Sequence, residues 1–316
     1  MISIASSKYH IRDYKAGDEQ AITTLFNIVF GTSLSIPQWQ WKYQGIQSET
    51  VYAKVIINNQ NELIGHAGAI PLKGYYYGKQ ISFFQICDVM IHPDHRGYLG
   101  SRNLFTCLLR NLLTTIFQRF PQAFCYGFPG RRPFLLGKQA KVYDIIETAV
   151  EITRRNQSEK WCWLNTKPLA WNDSRLDRLS LHCTSQYMLL LKRDRSYLQW
   201  RYADNPFFPY QIIGFFILGK LIGWSVIRQK ENRLLVIDLL IARRWLESAL
   251  VSLDKIATQL GLNSAHIWLP AELSKPNLGE LISTEVITTH MIWGAYYSSN
   301  DVRRNIYYTM GDLDIF

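Results

Sequence analysis

Phe83-Phe84-Gln85-Ile86-Cys87-Asp88-Val89-Met90-Ile91-His92-Pro93-Asp94-His95-Arg96-Gly97-Tyr98-Leu99-Gly100-Ser101-Arg102-Asn103-Leu104-Phe105 decides the fold. It opens with an apolar run rich in strand formers, which ends at Ile91. A turn with Pro and Gly follows, from His92 to Ser101. Beyond it, Leu104, Phe105, Leu108, Leu109, Leu112, Leu113, Ile116 and Phe117 fall in pairs every fourth residue, the stripe of a helix over Arg102–Phe117. Ser101 is placed to cap that helix. A strand that turns through Arg-Gly into a helix has a physical use. Glycine lets backbone approach a ligand closely. The helix start offers unpaired N–H groups and partial positive charge. With the charge of Arg96, these make a cradle for phosphate.

Ile91-His92-Pro93-Asp94-His95-Arg96-Gly97 resembles the acetyl-CoA motif of the GNAT (GCN5-related N-acetyltransferase) superfamily. The resemblance implies that acetyl-CoA is the cosubstrate. Its pyrophosphate would be held by Arg96, Gly97, Tyr98, Leu99, Gly100, Ser101 and Arg102. The backbone of Val89, Met90 and Ile91 would pair with the pantetheine arm and polarise the thioester carbonyl. Leu99 and Ser101 stand where the family pattern has glycines, and Gly100 lies one place off. Amine acetylation also needs a proton acceptor for the amine and a proton donor for the departing thiolate. Asp88, a carboxylate within an apolar strand, is the candidate base, because burial raises a carboxyl pKa. An Asp in the same place in the second half, Asp238, offers the alternative of a hydrogen-bonding role in the fold. Gly137 falls in the slot where the family places its acidic Tyr. Tyr126 and Tyr143 are nearby substitutes for that role, Tyr126 the first candidate, with packing as the alternative for each. His66 is a candidate lining residue of the acceptor pocket, or simply a hydrogen-bonded strand histidine.

The remainder of the chain fits this frame. Tyr9–Tyr14 alternates like a strand. Gly17-Asp18 opens a helix with Ile22, Leu25, Phe26 and Val29, which Gly31 ends. Trp39–Tyr43 reads as a short helix. Val51–Ile57 and Glu62–Leu72 read as paired strands around Asn58-Asn59-Gln60-Asn61. Ala123–Pro129 is the next strand, Arg131–Val142 a helix and Tyr143–Thr153 a further strand. Asn156–Asp173 has no clear period and reads as a linker.

The second half echoes the first in order. Trp200-Arg201-Tyr202 follows Trp41-Lys42-Tyr43, Leu221-Ile222-Gly223 follows Leu63-Ile64-Gly65, and Asp238–Ile241 follows Asp88–Ile91, each at an offset of roughly 150–160 positions. The expected fold class is therefore α/β (α+β): two tandem GNAT-like domains, residues 1–157 and 158–316, each a mixed, mainly antiparallel twisted sheet flanked by helices. After Ile241 the second copy reads Ala242-Arg243-Arg244-Trp245, without Gly or Pro. Only the first copy is expected to bind coenzyme.

Composition narrows the function. Hydrophobic residues make up 47 % of 316, enough for two cores. No apolar run is long enough to span a bilayer, and Met1–Asp18 lacks a signal-peptide core. Five dispersed cysteines, with no Cys-x-x-Cys pair, suggest reduced thiols in a cytoplasmic protein and no metal site. The net charge of +10 comes from scattered Arg pairs, the pattern of a solvated surface. The expected partner is a small-molecule or peptidic amine, with no nucleic acid and no membrane. The function implied is an acetyl-CoA-dependent N-acyltransferase. The alternatives are a non-catalytic module that keeps coenzyme affinity or only the fold, and an aminoacyl transferase like the tandem peptidoglycan-bridge enzymes.

Overall fold

The computed structural model describes residues 8–45, 50–97, 103–155 and 162–314. Alternation at Tyr9–Asp13 gives β1, and the apolar stripe at Glu19–Phe30 gives α1, stopped where Gly31 turns left-handed at φ 68°. Next come α2 (Ile36–Gln44), β2 (Tyr52–Asn58), β3 (Leu63–Tyr76), β4 (Lys79–Ile91), α3 (Leu104–Arg119), β5 (Phe124–Gly127), α4 (Arg131–Gln139) and β6 (Tyr143–Arg155). The second half adds β7 (Asn165–Pro168), α5 (Arg175–Thr184), β8 (Leu189–Leu191), α6 (Arg195–Leu198), β9 (Gln211–Ile217), β10 (Lys220–Lys230), β11 (Arg233–Ile241), α7 (Leu246–Gln259), β12 (Ser264–Leu269), β13 (Glu280–Met291), α8 (Ser299–Asn305) and β14 (Ile306–Tyr307).

The chain forms two compact units. The first holds residues 1–73, 81–146 and 287–302; the second holds 74–80, 147–286 and 303–316. Each is a mixed α/β fold on a mainly antiparallel twisted sheet flanked by helices.

In the first unit the strand order is β1-β2-β3-β4-β5-β13-β6. β4 and β5 run parallel; β1 with β2, β2 with β3 and β5 with β13 run antiparallel. Helix α3 lays Leu104, Leu108, Leu112 and Ile116 onto Ile56, Ile64, Phe84 and Ile86. This sheet face is where its apolar stripe is removed from water. Trp39 and Tyr43 of α2 are buried against the opposite face, where Gly68 leaves room for the Tyr43 ring: a Cβ there would lie 2.4 Å from its hydroxyl.

In the second unit the order is β6-β12-β11-β10-β9-β7. β11 and β12 run parallel, and their neighbours antiparallel. The buried guanidinium of Arg154 meets Asp254 of α7 at 2.6 Å.

Three local expectations change. The segment Asn156–Asp173, read as a linker, contains β7, which pairs antiparallel with β9; four residues are too few to show a period. The α3 cap is Asn103 rather than Ser101: its Oδ1 accepts from Phe105 N and Thr106 N at 3.0 and 3.4 Å, so the helix begins at Leu104. The helix expected over Arg131–Val142 ends at Gln139, because Lys141 turns left-handed at φ 54° and Val142 N returns to Gly137 O.

Candidate active site

The site begins with a change of phase in β4. Phe84 and Ile86 face the α3 core, and so do Val89 and Ile91. Even positions give way to odd ones, which a regular strand does not allow. The switch is at Asp88, whose φ is +49°. An Asp tolerates this left-handed conformation better than most residues, but still at a cost of roughly 1 kcal/mol. The result is a bulge that sends Cys87 and Asp88 to the same side. Cys87 Sγ lies 3.4 Å from the Tyr43 hydroxyl, which donates to Asp88 at 2.6 Å.

Asp88 is held on every side. Lys42 Nζ donates to its two carboxylate oxygens at 2.8 and 2.9 Å, and the two side chains are 7 % and 6 % exposed. Its backbone carbonyl lies 2.9 Å from His66 Nδ1. A carbonyl only accepts, so Nδ1 carries a proton. Burial holds His66 below the usual histidine range. His66 Nε2 is buried with no hydrogen-bond partner among the described residues. Burial beside Asp88 pushes the Tyr43 hydroxyl well up, so it stays a donor.

Beyond the bulge the strands part. β4 pairs with β5 over Phe83–Ile86 against Phe124–Gly127. β5 ends there, while β4 continues to Ile91. Past Ile86 the β5 side of β4 has no strand partner among the described residues, so the Val89–Ile91 backbone has no strand beside it on that side. Arg96 and Gly97 stand at the end of this edge. Arg96 Nε donates to Ile91 O at 2.9 Å. Gly97 has φ +116°, and no atom lies within 4 Å of where its Cβ would be, so glycine is required by conformation rather than by space. Tyr98, Leu99, Gly100, Ser101 and Arg102 lie outside the described residues.

Tyr126 is buried on β5, in register with Gln85, one pair before the strands separate. Its ring stacks on Phe124 at 5.9 Å and meets Phe128 edge-on. Gly137 packs under Tyr143, whose ring would lie 2.3 Å from a Cβ there. Burial pushes the Tyr143 hydroxyl far up. His66, a candidate for the acceptor pocket, is fully buried.

The second unit has its own version. β11 skips Ile237 in its pairing with β10, a bulge that precedes Asp238. Tyr202 donates to the Asp238 carboxylate at 2.8 Å, Thr309 Oγ1 at 2.9 Å and Arg193 Nε at 3.0 Å. Ser225 Oγ donates to the Asp238 carbonyl at 2.9 Å. β11 pairs with β12 over Arg233–Val236; beyond that it stays paired with β10 to Ile241, but its β12 side has no strand partner among the described residues. Here the edge is covered. The Tyr307 hydroxyl donates to Leu239 O, and the Tyr187 hydroxyl to Ile241 O at 2.9 Å. The same unit has a cleft of about 690 Å³ whose lining includes Tyr75, Trp171, Asp177, Lys192 and Arg195. Its charges are paired with one another, Arg195 with Asp177 and Lys192 with Asp194, each at 2.6 Å.

Lys42 and Tyr43 escaped the sequence reading as partners of Asp88, although both lie in the repeated Trp-basic-Tyr motif. Asn103, Tyr187 and Tyr307 gave no signal of their roles.

The strand–turn–helix stretch has counterparts. A family model described as an acetyltransferase (GNAT) domain matches residues 10–143. No curated protein matches the chain in sequence. Among solved structures, the chain resembles a probable N-acyltransferase of unknown function from Enterococcus faecalis, with TM-score 0.69, 12 % identity, and coverage of 91 % of this chain and 73 % of that one. A GCN5-related N-acetyltransferase from Anabaena variabilis gives 0.69, 14 %, 91 % and 73 %. The N-myristoyltransferase of Saccharomyces cerevisiae, solved with bound myristoyl-CoA, gives 0.58, 10 %, 90 % and 82 %. At these identities the structures establish a shared fold. The family model thus likens residues 10–143, less than half of the chain, to an acetyltransferase (GNAT) domain. No helix among the described residues is long and apolar enough to cross a membrane.

Proposed function

We propose that the first unit transfers an acetyl group from acetyl-CoA to the amine of a small or peptidic acceptor. The observation that carries this reading is the parting of β4 from β5 after Ile86, with Arg96 and the left-handed Gly97 at the end of the edge that β5 leaves. These residues fit a phosphopantetheine donor. The strand edge has backbone groups to satisfy, Arg96 supplies charge for a diphosphate, and glycine admits it closely. When bound, the coenzyme supplies a thioester-activated acyl group.

Val89, Met90 and Ile91 would hold the donor by backbone, and their amides would polarise the acyl carbonyl. Arg96, Gly97 and the following Tyr98, Leu99, Gly100, Ser101 and Arg102 would hold its phosphates. Tyr126, just before the strands separate, is the proposed proton donor to the departing sulfur. The second unit, residues 158–316 in the main, is read as a degenerate copy. In support, Tyr187 and Tyr307 take the carbonyls that the corresponding edge of β11 would offer. The net charge of +10 supports an acceptor with a carboxylate or phosphate beside its amine.

A screen of amines for release of free coenzyme A thiol tests the reading. Amines with an anionic group should lead. A folded protein that releases no thiol with any amine would favour a binding module instead.

A further inference from the structure

We propose that Asp88 is a positioning residue: with Lys42, Tyr43 and His66 it fixes the β4 bulge that turns the Val89–Ile91 backbone toward the acyl donor. This rests on the donor site proposed above. The geometry is specific. Lys42 and Tyr43 approach the carboxylate from α2, and His66 approaches the carbonyl of the same residue from β3. Between them they grip one residue by side chain and backbone, at the single point where β4 changes phase. Both carboxylate oxygens are engaged by Lys42, and one also takes the Tyr43 hydroxyl. A base must present a lone pair to the acceptor's proton. Asp88 faces its anchors instead.

The second unit supports this independently. Asp238 is gripped in the same way, by Tyr202 on its carboxylate and Ser225 on its carbonyl, next to a bulge in β11. No Gly-containing turn follows that strand. The brace therefore persists without the donor loop, as expected of a device that shapes a strand.

Breaking a buried ion pair on one side leaves a bare charge, whereas replacing both partners is often neutral. This separates the two roles of Asp88. The variants are Asp88→Asn, Lys42→Met and the double variant. They are assayed for acetyl transfer to the best amine of the screen, with kcat, KM for acetyl-CoA and the pH profile. Hydrogen exchange of the peptide over residues 86–92 reports the bulge. Each single variant should lose about ten- to hundredfold in kcat, with faster exchange over that peptide. The double variant should return to within about threefold of wild type with an unchanged pH profile.

The double variant contains no unpaired charge, so it stays informative even if a single variant fails to fold. A double variant as inactive as Asp88→Asn, or loss of the acidic limb of the profile, would make Asp88 the base and overturn the proposal. Wild type with no transfer and no acetyl-CoA binding would instead remove the donor site on which it rests.

Discussion

Tyr43 donates its hydroxyl to Asp88 at 2.6 Å, across 45 positions of sequence. It ties a short helix to the point where the central strand of the first unit changes phase. Tyr43→Phe removes the donor and leaves a buried carboxylate with Lys42 alone. A hydrogen bond to a charged group contributes roughly 1.5–3 kcal/mol. Denaturant unfolding should show a loss of that order, with the slope unchanged. A loss within about 0.5 kcal/mol would mean that the hydroxyl is not part of the brace.

Gly68 and Gly311 are expected to be intolerant for a related reason. A Cβ at Gly68 would lie 2.4 Å from the Tyr43 hydroxyl, and one at Gly311 would lie 2.1 Å from that of Tyr202. Both rings are buried and cannot yield cheaply. Gly68→Ala and Gly311→Ala should each cost roughly 1–3 kcal/mol by the same measurement. Gly31→Ala at an open helix end, where only the positive φ resists, should cost about 1 kcal/mol.

Two buried groups give opposing pH dependences. Burial holds His66 below the ordinary value, so on acidification the unfolded chain takes the proton first and the folded state loses stability as pH falls through about 6.5. Asp312 behaves in the other sense. Burial, with Asp238 sharing the Arg193 guanidinium, pushes its carboxyl up to about 6. The folded state then binds a proton before the unfolded one, and stability is gained as pH falls from 7 through 6 toward 4. Replacing Asp312 by Asn should make the loss of stability between pH 7 and 5 steeper than in wild type. His66→Gln should make it shallower. Melting temperatures across this range check both signs, and parallel curves for all three proteins would contradict the assignment.

Much of this was legible in sequence because it is local. The paired leucines of α3, the glycine that ends α1 and the Arg-Gly after β4 each announce their conformation through spacing or residue type. The Trp-basic-Tyr echo falls on Tyr43 and Tyr202, each of which donates to an Asp carboxylate of its own unit. The bulge was not legible: Asp88 in a left-handed conformation looks in sequence like any strand residue, and its cause is a lysine and a tyrosine on a distant helix. The apolar neighbours of Asp88 in sequence give no sign of the Lys42 ammonium beside it in space. The covering of β11 by Tyr187 and Tyr307 joins residues 54 and 68 positions away, contacts to which no periodicity refers. The α3 cap shifted by two positions because Asn103 and Ser101 are equally good caps in isolation.

Gly97 offers a direct probe of the turn. Its φ of +116° excludes a β-branched side chain without strain, although the space is open. Gly97→Val should weaken acetyl-CoA binding by at least tenfold, while unit stability changes by no more than about 1–3 kcal/mol. Titration and unfolding of the same preparation separate the two effects. Unchanged binding would place the phosphates elsewhere.

The central claim is that one donor site exists, on the first unit. Calorimetric titration of acetyl-CoA into wild type, Arg96→Ala and Arg243→Ala tests it most directly. Arg96 stands at the end of the open β4 edge, whereas Arg243 lies over the Tyr187 ring at 5.4 Å beside the covered edge of β11. Wild type should bind one equivalent. Arg96→Ala should bind about ten- to hundredfold more weakly, the loss of one charge-assisted contact, and Arg243→Ala should match wild type. Two equivalents bound, or equal losses in the two variants, would contradict the account.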